Sequence, residues 1–131
     1  MNCIMRYLVV VVGCLIAMPS IAKADYTGSV SASKPTGGGT LDAECTGEIT
    51  WGASDSEPAV VLQLWRWNGS TYVLQSTYNE ANYTVDTVNR TITMHDTRTM
   101  PNGGTFKFYV TIYVGGLPLD TYETPAFTVP W

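Results

Sequence analysis

The sequence predicts an all-β protein, a single antiparallel β-sandwich of about seven strands over residues 25–131. Three observations indicate this fold class. Two segments, residues 41–51 and 105–114, alternate apolar and polar side chains with a period of two, which is the pattern of a half-buried strand. Turn residues recur about every 8 to 15 positions, the rhythm of a sandwich or barrel. Stretches with helical periodicity are almost absent after residue 24.

The first 24 residues have the pattern of a signal peptide. Arg6 supplies a weak positive charge, and the apolar run over residues 8–18 is shorter than the roughly 20 residues of a membrane span. Residues 22–24, Ala-Lys-Ala, place small side chains where a signal peptidase reads them, which predicts cleavage before Asp25. We therefore expect a secreted or periplasmic protein, with no membrane span after cleavage.

Two alternatives remain for this leader. It could stay uncleaved as an N-terminal anchor. Residues 11–14, Val-Val-Gly-Cys, also loosely resemble the lipidation site of a lipoprotein. The residues after Cys14 continue the apolar run, however, whereas a lipidated cysteine usually opens a polar tether.

Cleavage leaves 107 of the 131 residues, which is the size of one domain and enough to bury a core. Arg6 and Lys23 are lost with the leader, so five of the seven basic residues remain against eleven acidic ones, and the formal charge is −6. This sign argues against a nucleic acid or an anionic membrane as partner, since phosphates require a basic surface.

Residues 41–51 show the cleanest alternation in the chain. The odd positions are apolar or small, and the even positions are polar, among them Asp42, Glu44 and Glu48. Cys45, the one cysteine that cleavage leaves, therefore points inward. We expect a buried, inert thiol, with an intermolecular disulfide as the alternative.

A hairpin is predicted where the apolar and aromatic runs 59–67 and 71–78 flank Asn68-Gly69, a dipeptide that accepts positive φ in a tight turn. Both faces of the first run carry apolar side chains, so the hairpin is either covered on both sides or exposes aromatic rings. The other predicted strands are 26–33, 83–88, 91–95, 105–114 and 122–129, with the last one broken at Pro125. Strands 83–88 and 91–95 are predicted to form a second hairpin around Asn89-Arg90.

The resulting pattern resembles an immunoglobulin-like or fibronectin type III-like sandwich. Residues 41–45, Leu-x-Ala-x-Cys, are similar to the second strand of immunoglobulin domains, and residues 64–66, Leu-Trp-Arg, to their third strand. Residues 91–94 and 100–108 resemble the segment that leads into the sixth strand of immunoglobulin domains. Met100-Pro101 and the residues that follow are equally similar to the corresponding segment of fibronectin type III domains. The resemblance implies a role in adhesion, recognition or spacing, although fold alone does not fix function.

The chain departs from the immunoglobulin pattern at three points. Phe108 occupies the position of the second cysteine, so the inter-sheet disulfide cannot form. Phe106 stands where the corner tyrosine would be. The interval from Cys45 to Trp65 is longer than these domains usually have.

No catalytic constellation is recognisable, and we expect a protein that is not an enzyme and needs no cofactor. His95 is the only histidine, and its neighbour Asp96 points to the opposite face of a strand. Zinc requires three or four converging ligands, whereas residues 25–131 offer one histidine and one cysteine. The glycines at 37–39 lack the lysine and helix of a phosphate-binding loop.

Aromatic side chains provide the candidate partner surface. Rings on a rigid sheet can stack on sugars or anchor a protein partner, because they offer a large area and a polar tip at small entropy cost. The alternative is that Trp65 or Trp67 fills the core between the sheets and that the tyrosines cover the flanks of the strands. The candidates are Trp65, Trp67, Tyr72, Tyr109 and Tyr113.

Asp42, Glu44 and Glu48 form a candidate acidic face on one strand. Residues two apart along a strand lie about 6.5 to 7 Å from each other, too far for a close acid pair. A solvated strand face is therefore the interpretation, with a cation site completed by a loop as the alternative.

Three functions follow from these features. The first is a recognition or structural module that binds a protein partner through a sheet face or loops. The second is a carbohydrate-binding module, and the third is an inhibitor of a secreted hydrolase. Asn68, Asn82 and Asn89 match the glycan-acceptor pattern, which matters only in a eukaryotic host.

Overall fold

The computed structural model describes residues 25–131, which form nine β-strands and no helix. The predicted signal peptide, residues 1–24, lies outside the described residues. Within residues 25–131 there is no helix that could cross a membrane. The strands are β1 (Thr27–Ser33), β2 (Asp42–Thr50), β3 (Ala59–Trp67), β4 (Tyr72–Tyr78), β5 (Tyr83–Asp86), β6 (Thr91–Thr99), β7 (Gly104–Val114), β8 (Leu117–Glu123) and β9 (Phe127–Val129).

The strands form two antiparallel sheets that pack as a β-sandwich. One sheet has the order β1-β2-β6-β5, and the other has the order β4-β3-β7-β8, with β9 also paired to β7. The all-β prediction and the two-sheet prediction are thus confirmed. Two of the hairpin connections are the ones expected, β3–β4 around Asn68-Gly69 and β5–β6 around Asn89-Arg90.

The described residues form nine strands, whereas about seven were expected. One reason is that the last predicted strand is divided into β8 and β9. It begins earlier, at Leu117 after the positive-φ glycines 115 and 116, and it is interrupted after Glu123. Thr124 bridges the interruption: its backbone N–H donates to the Phe108 carbonyl (3.0 Å), and its hydroxyl accepts from the Phe108 N–H (3.1 Å). The Phe108 backbone therefore stays hydrogen-bonded where the neighbouring strand breaks at Pro125.

The core lies between the sheets and is built from the alternate residues of each strand. The inward positions of β2 and β7 are the predicted ones, and Cys45 is completely buried with a free thiol. Burying a large apolar side chain contributes roughly 1.5 to 3 kcal/mol each. The largest fully buried side chains are Phe106, Phe108, Ile49, Leu62, Leu64, Ile92, Met94, Met100, Ile112, Val110 and Val129.

The C-terminal tryptophan closes one end of the core. The Trp131 ring stacks on Phe127 with centroids 5.5 Å apart and planes 12° apart. Its indole N–H donates to the backbone carbonyl of Asp42 at 2.6 Å. Because Phe127 belongs to one sheet and Asp42 to the other, Trp131 links the two layers.

Candidate functional site

The outer face of the five-stranded sheet carries a cluster of aromatic side chains, which we call the aromatic face. The side chains of β3 at 62 and 64 point into the core, so those at 63, 65 and 67 point outward. The same alternation on β7 turns Lys107 and Tyr109 outward. The aromatic face consists of Trp65, Trp67, Tyr72, Leu74, Lys107 and Tyr109.

Trp67 and Tyr72 form a cross-strand pair beside the β3–β4 turn. Their ring centroids are 5.1 Å apart and their planes are inclined by 58°. The turn is held by Asn68, whose Oδ1 accepts from the backbone N–H groups of Ser70 (2.8 Å) and Thr71 (2.9 Å). This pair is therefore held in place by its own hairpin, and Trp67 remains 42% exposed.

Trp65 and Tyr109 form the second aromatic pair, on the neighbouring strands β3 and β7. Their centroids are 5.2 Å apart and their planes are inclined by 46°. The Trp65 indole N–H donates to Gln63 Oε1 at 3.0 Å, so its polar tip is satisfied within the face. Trp65 is half-buried and Trp67 is exposed. The alternative that these tryptophans fill the core is therefore wrong.

Lys107 joins the two sides of the aromatic face. Its Nζ lies 2.7 Å from Glu123 Oε1 on β8 and 4.9 Å from the ring centroid of Tyr72 on β4. The hydrogen bond to Glu123 raises the pKa of Lys107. Neither residue is a predicted site residue, since they are 16 positions apart and only the β7–β8 register brings them together.

Leu74 is a third residue that sequence reasoning missed. It is 49% exposed and pairs with Trp65 across the β3–β4 ladder. The signal was available, because Val73 and Leu74 are consecutive apolar residues in a strand and such neighbours point to opposite faces. Leu74 extends the aromatic face to the free edge of the sheet at β4.

Tyr113, the fifth aromatic candidate, lies on the same outer face but outside the cluster. It is four residues beyond Tyr109 along β7, a distance of about 13 Å at the usual strand rise. Its neighbours across the ladders are Ala59 and Pro118, and it is half-buried. The structure therefore brings together four of the five predicted aromatic residues.

The candidate acidic face lies on the other sheet, where Asp42, Glu44 and Glu48 follow one another along β2. Both carboxylate oxygens of Asp42 accept hydrogen bonds. Oδ1 accepts from the Thr99 hydroxyl at 2.5 Å, and Oδ2 accepts from the Gly39 N–H at 2.8 Å. These two hydrogen bonds lower the pKa of Asp42.

The other two carboxylates stand among hydroxyl side chains. Glu44 is flanked by Ser33 and Thr97, and Glu48 is flanked by residues Ser29 and Thr93 of the same two neighbouring strands. Across residues 25–131, no three acidic, histidine or cysteine side chains converge as a metal site would require. The row is spread along the strand instead of forming one site.

His95 and Asp96 lie on opposite faces of β6, as the alternation predicts. His95 is exposed, and Asp96 is completely buried. The Asp96 carboxylate accepts from the backbone N–H of Asn82 at 2.7 Å and from the Arg98 guanidinium. The two neighbours cannot form a catalytic pair, because their side chains point away from each other.

The three asparagines that match the glycan-acceptor pattern are all exposed, and two of them have turn-forming hydrogen bonds. Asn68 closes the β3–β4 turn as described above. The Asn89 side-chain amide donates to Asp86 Oδ2 at 2.8 Å in the β5–β6 turn. Turn geometry alone therefore accounts for asparagine at positions 68 and 89.

The two outer faces of the sandwich thus differ in chemistry. The four-stranded sheet presents carboxylates among Ser and Thr hydroxyls, as in the neighbourhood of Glu44 and Glu48. The five-stranded sheet presents packed aromatic rings around the Lys107–Glu123 ion pair, whose charges cancel. Neither a protein-family model nor a curated protein matches the chain.

Proposed function

We propose that this chain is an exported, non-enzymatic recognition module, secreted or periplasmic, that binds a protein partner through the aromatic face. The observation that carries the proposal is the pair of inclined ring contacts, Trp65–Tyr109 and Trp67–Tyr72, on one exposed sheet surface. Tryptophan and tyrosine are the residues enriched at the energetic centres of protein interfaces.

The composition of the aromatic face suits a protein partner. Trp67 and Leu74 expose large apolar side chains that a partner could bury, and both are held on a rigid hairpin, which keeps the entropy cost of binding small. The Lys107–Glu123 ion pair leaves a polar element beside them that can orient the partner. The opposite sheet carries solvated carboxylates, which are depleted from interface cores.

The ring geometry favours protein over carbohydrate. A sugar chain stacks on ring faces, so a platform for it needs exposed rings that lie nearly in one plane. Here the two ring pairs are inclined by 46° and 58°, and each ring turns part of its face toward its neighbour. Inclined pairs of this kind also stabilise the sheet by about 0.5 to 1.5 kcal/mol each.

We also propose that the sandwich is of the immunoglobulin-like type. The strand order supports this: β1-β2-β6-β5 facing β4-β3-β7-β8 matches the order A-B-E-D facing C′-C-F-G. The first conserved cysteine position is matched by buried Cys45, and Phe108 replaces the second. In this assignment the aromatic face is the outer surface of the C′-C-F-G sheet.

The proposed function is tested by capture of partners from the native surroundings, with the mature chain immobilised. The test variant is Trp67→Ala, and the matched control is Glu48→Gln on the opposite sheet, with folding of both checked by circular dichroism. We expect a protein that the wild type and the control retain and that Trp67→Ala loses. Purified, it should bind Trp67→Ala at least about tenfold more weakly, corresponding to about 1.4 kcal/mol.

Two results would contradict the proposal. The first is equal capture by Trp67→Ala and the wild type, which would place the partner surface elsewhere. The second is saturable binding to a glycan array that Trp67→Ala abolishes, which would favour the carbohydrate function. Inhibition of a secreted hydrolase by the mature chain would favour the third function.

A further inference from the structure

Residue 25, the first residue after the predicted cleavage point, is seated against a carboxylate in a distant loop. The backbone nitrogen of Asp25 lies 3.0 Å from Asp55 Oδ2, although the two residues are 30 positions apart. Asp55 belongs to the loop between β2 and β3. This contact joins the start of the described chain to one end of the sandwich.

The Asp55 carboxylate is positioned by the turn in which it lies. Its Oδ2 also accepts from the Gly52 N–H at 3.1 Å, and its own N–H donates to the Gly52 carbonyl at 3.1 Å. A side chain at position 52 would meet Asp55 Oδ2 at 2.7 Å and Asp25 Cβ at 3.1 Å. The absence of a side chain at Gly52 therefore leaves room for Asp25 beside this carboxylate.

A second contact next to the first keeps the N-terminal segment in place. The Tyr26 hydroxyl donates to the backbone carbonyl of Ser56 at 2.5 Å, and the ring packs against the core. Residues 25 and 26 thus hold the same loop at adjacent positions, 55 and 56. The direction of the chain at Asp25 is therefore set by Tyr26 and β1 as well as by Asp55.

We propose that removal of the leader creates an α-ammonium group on Asp25 that forms an ion pair with Asp55. Water hydrolyses the Ala24–Asp25 amide: the carbon–nitrogen bond breaks, the Ala24 carbonyl carbon gains the hydroxyl, and the Asp25 nitrogen gains one proton from the water. The new Ala24 carboxyl group ionises, and a second proton converts the Asp25 amine to the ammonium form. The inference rests on the export in the proposed function, with a leader peptidase as catalyst.

The charge created by cleavage changes the strength of an existing contact. Before cleavage the Asp25 nitrogen is a neutral amide donor, and after it the amine, with an ordinary pKa of about 7.7 to 8.0, is mostly protonated at neutral pH. The Asp55 carboxylate already makes this a charge-assisted hydrogen bond, and an ionised donor adds the attraction between two opposite charges. Cleavage one residue earlier or later would move the charge about 3.8 Å along the chain, away from Asp55.

The test is a thermodynamic cycle on the mature chain. One pair of proteins begins at Asp25, with Asp55 or with Asp55→Asn; the other pair carries a Gly-Ser extension before Asp25. We expect Asp55→Asn to lower the Tm by about 1 to 5 °C more in the chain that begins at Asp25. The loss of the Gly52 hydrogen bond is common to both pairs and cancels. An equal Tm loss in both pairs would overturn the inference.

A second measurement needs no change at position 55. Acetylation of the Asp25 amine in the otherwise unaltered mature chain should lower the Tm by a similar amount, because it removes the charge and keeps a donor. An unchanged Tm would overturn the ion pair.

The N-terminal sequence of the exported protein provides an independent check. It should begin at Asp25, and a different N-terminus would overturn this inference while leaving partner binding by the aromatic face intact. Loss of capture by Trp67→Ala tests the aromatic face, which includes neither Asp25 nor Asp55. Each proposal can therefore fail without the other.

Discussion

The carboxylate of Asp96 and the guanidinium of Arg98 form a two-point ion pair on the inward side of β6. The distances are 2.5 Å from Nε to Oδ1 and 2.9 Å from Nη2 to Oδ2. The Arg98 guanidinium also lies over the ring of Tyr78, 4.0 Å from its centroid. Since Tyr78 belongs to β4, this pair connects the two sheets beside the chain that crosses between them.

Asp96→Asn should destabilise the protein by about 2 to 4 kcal/mol. The substitution keeps the size of the side chain but leaves the Arg98 guanidinium, whose side chain is 26% exposed, without its counter-charge. Urea unfolding at neutral pH measures the effect. The control is His95→Ala, the exposed neighbour, which should change stability by less than about 0.5 kcal/mol. Equal effects of the two substitutions would show that the ion pair contributes nothing.

Gly28→Ala should destabilise the protein by about 1 to 3 kcal/mol, because a methyl group there would lie 2.8 Å from ring atoms of Tyr122. Tyr122 is on β8 and Gly28 is on β1, so the clash would push the sheets apart at this edge. The control is Gly39→Ala, where the nearest atom is Asp42 Oδ2 at 3.5 Å.

The two residues should also be coupled. In a Tyr122→Ala background, Gly28→Ala should lower the free energy of unfolding by less than it does in the wild type, since the Tyr122 ring is absent. Thermal unfolding of the four proteins measures this coupling. If the stability losses of Gly28→Ala and Tyr122→Ala are additive, the methyl group at position 28 does not clash with the Tyr122 ring.

Cys45 should resist thiol reagents in the folded protein. Burial raises the pKa of its thiol to about 12, with a further contribution from the charge of Asp96. At about pH 8 only on the order of one molecule in ten thousand would carry the reactive thiolate, and that sulfur is enclosed. Reaction with a chromogenic disulfide should be slow without denaturant and complete in urea. Rapid labelling of the native chain would refute this.

Asp42 should make a contribution to stability that is lost in acid. Hydrogen bonds from the Thr99 hydroxyl and the Gly39 N–H lower the pKa of Asp42 in the folded state. A lowered folded-state pKa gives a contribution that is complete above the unfolded value of about 3.9 and disappears as the pH falls through the folded value. The stability difference between the wild type and Asp42→Asn should therefore shrink below about pH 4.

The measurement is urea unfolding of both proteins at several pH values between neutral and strongly acidic. Asp86, whose pKa is lowered by the backbone and side chain of Asn89, gives a parallel case on the β5–β6 turn. If the stability difference between the wild type and Asp42→Asn stays constant over the whole pH range, ionised Asp42 does not stabilise the folded state.

Local patterns were sufficient to predict the strands but not all of their ends. The alternation over residues 41–51 correctly placed Cys45 inside, and Asn68-Gly69 correctly marked a hairpin. The last strand was predicted to begin at Tyr122, whereas β8 begins at Leu117. Its first half alternates poorly because β8 is an edge strand with both faces largely exposed, so no core imposes a period of two on it.

The candidate site was predicted only in part for a related reason. Alternation shows that Trp65 and Tyr109 point away from one core, but it does not show which strands become neighbours. The β3–β7 register is what places them 5.2 Å apart, and the β7–β8 register is what places Glu123 beside Lys107. Leu74 could have been found, and Lys107 and Glu123 could not.

The amino-acid sequence by itself determined the fold class, the inward faces of β2 and β7 and the turn at Asn68-Gly69, because these depend on side-chain periodicity and backbone preference over a few residues. Only the tertiary structure decided that the aromatic rings share one surface, that the Arg98 guanidinium lies over the Tyr78 ring, and that Asp25 reaches Asp55. Such contacts join residues from different strands and loops. They depend on the register and packing of two sheets, which no local pattern encodes.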